Sequence, residues 1–422
     1  MKFNYKDTAK IEKRAITIAA KKLAPYFEVL KNAVKDSSYK TDESSLYLSN
    51  DREMRKKALK LVKLKQSKKL KEVMVVGIGG SNLGAQAVYG ALRPKGVKLS
   101  FFDTAHARSL KEAIIRLKQI FGEGNTALLN IISKSGTTNE TVMNARVLLK
   151  ELQKLAPDWN NHVVATTEPG SKLEAWARFH EIDALPNPVA VGGRYSVLCP
   201  VGTFPLALSG VDIRKLHKGA SKMLEKCLSQ DSESNPALQS ASAVFRAIGR
   251  GISMHNLFVY DEDLEYAGKW FRQLTGESLG KQGKGITPIV SIGSTDMHSM
   301  FQLYMAGPKD KFTTFVKVAS GSDIKIPNLA DRFDDIVREL SGKSVGKVMD
   351  AIYEATKQSY VKRELPFVEV ILESLDEEEL GAFMQFKMVE TMLLAKLMGI
   401  NAFDQPDVEE YKVITRKLLG RG

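Results

Sequence analysis

Apolar residues follow two alternating rhythms along this chain. Short apolar runs occur at Glu72–Ile78, Leu99–Asp103, Thr126–Ile132 and Val163–Thr167. Runs of this length with little polar alternation predict strands buried on both faces, as in a parallel sheet. Longer segments lie between them, such as the one carrying Ala85, Ala87, Val88 and Leu92 before Pro94, or Val142, Ala145, Leu148 and Leu149 on the way to Leu152. Their spacing predicts helices, and strands alternating with helices predict a doubly wound α/β sheet. A second series follows: strands at Asn256–Tyr260, Ile286–Ile292, Thr313–Val318 and Phe367–Leu372, with helices over Leu264–Leu274, from Asn328 onward, and from Asp376 to Met398. Residues 1 to about 70 and 200–245 read as helical, with loops near 36–50 and 229–236. The expected organisation is a helical segment over 1–65, a first α/β domain over 66–200, a second over 201–395 and a tail over 396–422. The helix ending at Gly399 is apolar around most of its surface, which predicts a core or subunit-contact helix.

Composition narrows the function classes. No run of 18 apolar residues predicts a membrane span, and Met1–Asp7 lacks the apolar core of a signal peptide. Two cysteines in 422 residues, Cys199 and Cys227, fit a reducing compartment and a cytoplasmic location. The net charge is +13. Much of it lies in the lysines between Lys56 and Lys71, interleaved with Leu59, Val62 and Leu64, a pattern that reads as the solvated face of a helix. Neither an arginine–aromatic patch nor a DNA-binding motif accompanies it, so neither nucleic acid nor membrane is an expected partner. A positive field does favour anionic substrates.

Candidate chemistry sits in the turns. Ser133-Lys134-Ser135-Gly136-Thr137-Thr138 joins a predicted strand to a predicted helix, where free N–H groups and the helix dipole attract an anion. Four hydroxyls and a lysine exceed what one helix cap needs and suit a phosphate monoester. Gly77–Gly84 is a glycine-rich turn whose Gly79, Gly80 and Ser81 can close over a sugar or phosphate. A nicotinamide-dependent enzyme is the rival reading, but the third glycine of that fingerprint would fall on Asn82. Gly192-Gly193-Arg194 projects a guanidinium from a tight turn, suited to an oxyanion. Glu277 and His298 stand in predicted loops flanking one strand, where their side chains can converge. Asp407 is a natural N-cap, which puts Lys412 in the second turn of a terminal helix.

In this order, Gly77–Gly84, Ser133–Thr138, Gly192–Ser196, Gln273–Lys281, the His298 segment and Asn401–Lys412 resemble the glucose-6-phosphate isomerase family in its shorter bacterial form. The resemblance runs from about residue 70 to 415. One position departs: Asp407 stands where the family usually has glycine. The resemblance implies two sugar-isomerase (SIS) domains, a homodimer with a shared active site, a sugar-phosphate substrate, and neither metal nor organic cofactor. It implies Glu277 as the base moving a proton between C2 and C1 through a cis-enediol. It further implies His298, from the partner subunit, and Lys412 in ring opening, and Arg194 facing the enediolate. Ser133, Ser135 and Thr138 would hold the phosphate with Thr137 and Lys134 nearby, Gly80 and Ser81 would line the sugar, and Gln273 would make a polar contact. A non-catalytic sugar-phosphate sensor would keep the phosphate loop but would not need Glu277, His298 and Lys412 together.

Overall fold

The computed structural model describes residues 1–420. The N-terminal segment carries strand β1 (Lys2–Asn4) and helices α1 (Lys13–Lys35) and α2 (Arg52–Lys65). The first α/β unit follows as β2 (Leu70–Val76), α3 (Leu83–Leu92), β3 (Lys98–Phe102), α4 (Ala107–Gly122), β4 (Thr126–Ile132), α5 (Asn139–Leu155), β5 (Val163–Thr167), α6 (Lys172–Phe179) and β6 (Asp183–Pro186). Helices α7 (Pro200–Leu208), α8 (Ile213–Cys227) and α9 (Pro236–Ile248) lead to the second unit. That unit contains β7 (Met254–Val259), α10 (Glu265–Leu279), β8 (Thr287–Ile292), α11 (Phe301–Ala306), β9 (Lys311–Ser320), α12 (Val345–Lys362), β10 (Phe367–Ser374) and α13 (Glu377–Met398), and the tail ends in α14 (Val408–Leu418).

Both sheets are doubly wound, as the apolar rhythm predicts. The first has strand order β3-β2-β4-β5-β6 and is parallel throughout. The order reverses at β2, so the turns after β2 and β4 open side by side at the carboxyl edge, where such sheets bind ligands. The second sheet, β1-β10-β9-β7-β8, is parallel apart from β1, which pairs antiparallel with β10. Helices α3 and α10 pack against each other, and one continuous apolar core runs from the N-terminal helices through both units.

Several expectations change. The helix expected from Asn328 begins only at Val345, where the Ser344 side chain accepts from the Lys347 N–H. Upstream, Asp331 and Asp334 accept backbone N–H bonds from Phe333, Leu329 and Ala330, and these local bonds favour turns over helix. Helix α13 is a core helix, buried along almost its whole length inside its own chain, so its apolar surface is no evidence of a subunit contact. On α2 Lys56, Lys57, Lys60 and Lys63 do face solvent, but so does Leu64, while Lys65 is largely covered and pairs with Asp183; Ala58, Leu61 and Val62 form the inner face. Among the described residues, no helix is long and apolar enough to cross a membrane.

Candidate active site

Arg194 is the hub. It sits in a 3-10 turn over Gly193–Tyr195 and is 2% exposed. A buried guanidinium is costly unless every N–H finds an acceptor, and here each does. Nε donates to Ser278 Oγ (2.8 Å), Nη1 to Glu277 Oε2 (3.2 Å) and Gln405 Oε1 (3.0 Å), and Nη2 to the carbonyls of Ala402 (2.7 Å) and Asp404 (3.2 Å). The surrounding groups lock this arrangement. Trp270 Nε1 donates to the Arg194 carbonyl (3.1 Å), and Tyr195 Oη lies 3.0 Å from Ser278 Oγ. Lys281 ties the tail down through the Asn401 carbonyl (2.5 Å) and Asp404 (2.6 Å). Burial pushes the Tyr195 phenol above its ordinary pKa, so it stays a neutral hydroxyl.

Glu277 lies in the last turn of α10, not in a loop as its neighbours Gly276 and Gly280 suggest. One carboxylate oxygen meets Arg194; the other accepts from Gln273 Nε2 at 2.9 Å, one turn earlier on the same helix face. The side chain remains 30% exposed, so the carboxylate is oriented from behind and open in front. Gln273 Oε1 is buried without a hydrogen-bond partner among the described residues, which suits a substrate hydroxyl.

The glycine turn backs this cluster. A Cβ at Gly80 would fall 2.1 Å from the carbonyl carbon of Gly193, so the two turns meet backbone to backbone. This contact gives Gly80 a part in seating Arg194. Ser81 sits half-exposed at the end of the same turn. Gly77 touches the Ile132 carbonyl, immediately before the hydroxyl loop.

Within that loop the hydroxyls divide. Ser133 is buried, accepts from the Gly136 N–H (3.1 Å) and lies 3.2 Å from Thr138 Oγ1, so it shapes the turn. Ser135 and Thr137 are exposed and bonded to each other at 2.9 Å. Thr138 occupies the N-cap of α5 without a side-chain cap bond, which argues against an ordinary cap. Gly136 has φ +70° with its α-carbon pressed against the Leu173 backbone; its lack of a side chain serves the turn and its packing on α6, not a close ligand approach. Lys134 turns away, bonding the Val189 carbonyl (2.8 Å) and Glu168 (3.1 Å).

Helix α14 covers the loop. A cavity of about 210 Å³ lies between them, lined by Ser135, Thr137 and Thr138 on one side and Lys412 and Arg416 on the other. Asp407 stands at the N-cap of α14 but its side chain makes no cap bond. Lys412 Nζ bonds Glu409 at 2.6 Å. The tail from Ala402 to Lys412 therefore connects the Arg194–Glu277 cluster to the hydroxyl loop.

His298 does not join them within one chain. Glu277 lies beside the start of β8, where Gly276 faces Pro288. His298 lies beyond the strand's other end, after a 3-10 turn over Thr295–Met297. A six-residue strand spans roughly 17 Å, so flanking one strand separates these side chains instead of bringing them together. The His298 loop is nonetheless braced. Asp296 accepts from the Ile292 N–H (2.7 Å) and Ser299 Oγ (2.6 Å), while the imidazole faces solvent.

Of the supporting groups, Ser278, Lys281 and Gln405 lie inside segments the sequence singles out, yet residue type alone marks none of them as a brace for Arg194. The acceptor carbonyls of Ala402 and Asp404 carry no side-chain signal.

The family model described as phosphoglucose isomerase matches residues 56–421. A glucose-6-phosphate isomerase of Methanocaldococcus jannaschii is 35% identical over 367 residues, covering 85% of this chain and 87% of that protein. One of Thermus thermophilus is 36% identical over 358 residues, covering 83% and 84%. In fold, a hypothetical protein of Thermus thermophilus superposes with a TM-score of 0.86 at 31% identity, covering 96% of this chain and 98% of that one. A glucose-6-phosphate isomerase of Chlamydia trachomatis shares the fold at TM-score 0.83 and 19% identity, covering 99% and 88%. The chain belongs to the phosphoglucose isomerase family.

Proposed function

We propose that this chain interconverts glucose 6-phosphate and fructose 6-phosphate, as a cytoplasmic homodimer. The observation that carries the reading is the Glu277 carboxylate, fixed by Arg194 and Gln273 and open in front, in a chain of this family with a hydroxyl-rich anion loop alongside.

The phosphate rests on Ser135, Thr137 and Thr138 at the start of α5, a turn shaped by Ser133 and tethered by Lys134. His298 and Lys412 serve ring opening, moving protons at the ring oxygen and O1. Glu277 then takes the proton from C2 of the open-chain aldose, and the enediol forms as O1 gains a proton. Loss of the O2 proton and return of a proton from Glu277 to C1 complete the ketose. Arg194 acts as a fixed positive charge beside the reacting carbons. Its five bonds are already made, so little reorganisation accompanies the developing enediolate. Gly80, Ser81 and Gln273 line the sugar.

Two features support a shared site. His298 lies at the far end of β8 from Glu277, so a second chain must supply the imidazole if both act in one site. The arm over 321–344 leaves the same carboxyl edge of the second sheet, after β9, and exposes Ile324, Leu329, Phe333 and Ile336 by more than half. Apolar side chains so displayed suit a contact with another subunit.

The test is a coupled assay of purified protein with fructose 6-phosphate, following glucose 6-phosphate formation. Turnover is expected; a folded protein that binds the sugar phosphate without converting it would place the chain among sensors instead.

A further inference from the structure

Helix α14 carries a second cation that the reaction scheme leaves unused. Arg416 lies one turn after Lys412, and both line the cavity facing Ser135 and Thr137. The charged groups around this cavity are unequally engaged. Lys134, the loop's own cation, is held by Glu168 and the Val189 carbonyl and does not line the cavity. Lys412 is bonded to Glu409. Arg416 has neither an ion pair nor a side-chain hydrogen bond among the described residues. The opposite wall offers hydroxyls bonded only within the loop and the uncapped first turn of α5. Glu140 and Glu409 also line the cavity, so without Arg416 its carboxylates outnumber its one cation, Lys412.

We infer that Arg416, held by α14 across the cavity from the hydroxyl loop, is the cation that neutralises the substrate's phosphate. A guanidinium meets phosphate oxygens with paired donors and cannot lose its proton, which suits it to this place better than lysine. The inference rests on the reading of Ser133–Thr138 as the phosphate loop.

The experiment uses the full chain, wild type and Arg416→Ala, Arg416→Lys and Lys417→Ala, with 6-phosphogluconate as the probe. Calorimetric titration gives Kd, and the coupled assay gives kcat and KM. Loss of a charge-assisted contact predicts that Arg416→Ala weakens probe binding and raises KM by about tenfold or more, with kcat within about twofold. Arg416→Lys is expected to recover part of the binding. Lys417→Ala, the same charge change at a neighbouring position outside the cavity, is expected to change binding less than about twofold. The inference is overturned if Arg416→Ala binds the probe within twofold of wild type, if Lys417→Ala weakens it equally, or if kcat falls while Kd does not move. Should Arg416→Ala disturb α14, seen as lost helicity, Arg416→Lys decides: wild-type affinity there contradicts the need for a paired guanidinium. A wild type that binds the probe but does not isomerise would overturn the proposed function and leave the Arg416 contact standing.

Discussion

The two ends of β8 carry groups of opposite construction. At its start, Glu277 belongs to a network closed within one chain: Arg194 is buried with all five donors engaged, and Gln273, Ser278, the Ala402 and Asp404 carbonyls and the Gln405 side chain complete the frame. At its far end, His298 stands on a braced loop with its imidazole in solvent, at the same sheet edge from which an arm of exposed apolar side chains leaves β9. A proton-transfer base needs fixed geometry before substrate arrives, and the first end provides it. The second end is rigid but unfinished, the form expected of a surface that another subunit completes.

The contrast is most severely tested at Arg194. Arg194→Met removes the donors to the Asp404 carbonyl and to Glu277 Oε2, and leaves the Ala402 carbonyl only a 3.4 Å bond from Tyr195 Oη. Removing one member of a buried, hydrogen-bonded pair costs about 3–5 kcal/mol. If Arg194 is the fixed charge beside the reacting carbons, as proposed, its loss should lower kcat by about 10²–10³. Denaturant unfolding and steady-state kinetics check both. A stable, active Arg194→Met protein would mean that the closed network is incidental.

The open end is tested by complementation. Glu277→Gln and His298→Ala are each expected to be inactive as homodimers. In a mixed dimer one site receives both defects and the other neither. Refolding the two proteins together should restore roughly a quarter of wild-type activity, if chains pair at random. A mixture that stays dead while its subunits demonstrably exchange would put both residues in one chain's site.

Smaller effects are expected in the hydroxyl loop. Ser135→Ala combined with Thr137→Val removes the two exposed hydroxyls, which on the proposed reading grip the phosphate equally in ground and transition states. KM should rise by about tenfold while kcat changes little. Ser133→Ala should instead cost about 1 kcal/mol of stability, because that buried hydroxyl accepts the Gly136 N–H. Equal stability losses in both variants would erase the distinction between gripping and shaping hydroxyls.

The sequence discloses some of this and hides the rest for identifiable reasons. Strands β4 and β5 match their apolar runs residue for residue, because a strand buried on both faces cannot alternate. Strand β6, Asp183–Pro186, is a short, partly exposed edge with no such run, and β1 is recognisable only through its pairing with β10. Glu277 reads as a loop acid because glycines flank it, yet α10 continues to Leu279, with Gly276 lying against Pro288. The all-round apolar surface of α13 cannot distinguish burial within a chain from burial between chains. The residue types of the site are legible, but the acceptors that satisfy Arg194 are not, since two are backbone carbonyls from a tail more than two hundred positions away.

The most direct measurement follows the proton itself. Glucose 6-phosphate is incubated in D2O with wild type and with Glu277→Gln, and deuterium entering C1 of fructose 6-phosphate is read by NMR. Glu277→Gln keeps the shape of the side chain but cannot accept the proton. The account predicts exchange by wild type and a loss of about 10²–10⁴ in Glu277→Gln, with 6-phosphogluconate bound within a few-fold of wild-type affinity. Exchange by Glu277→Gln within tenfold of wild type would contradict the assignment of Glu277 as the base.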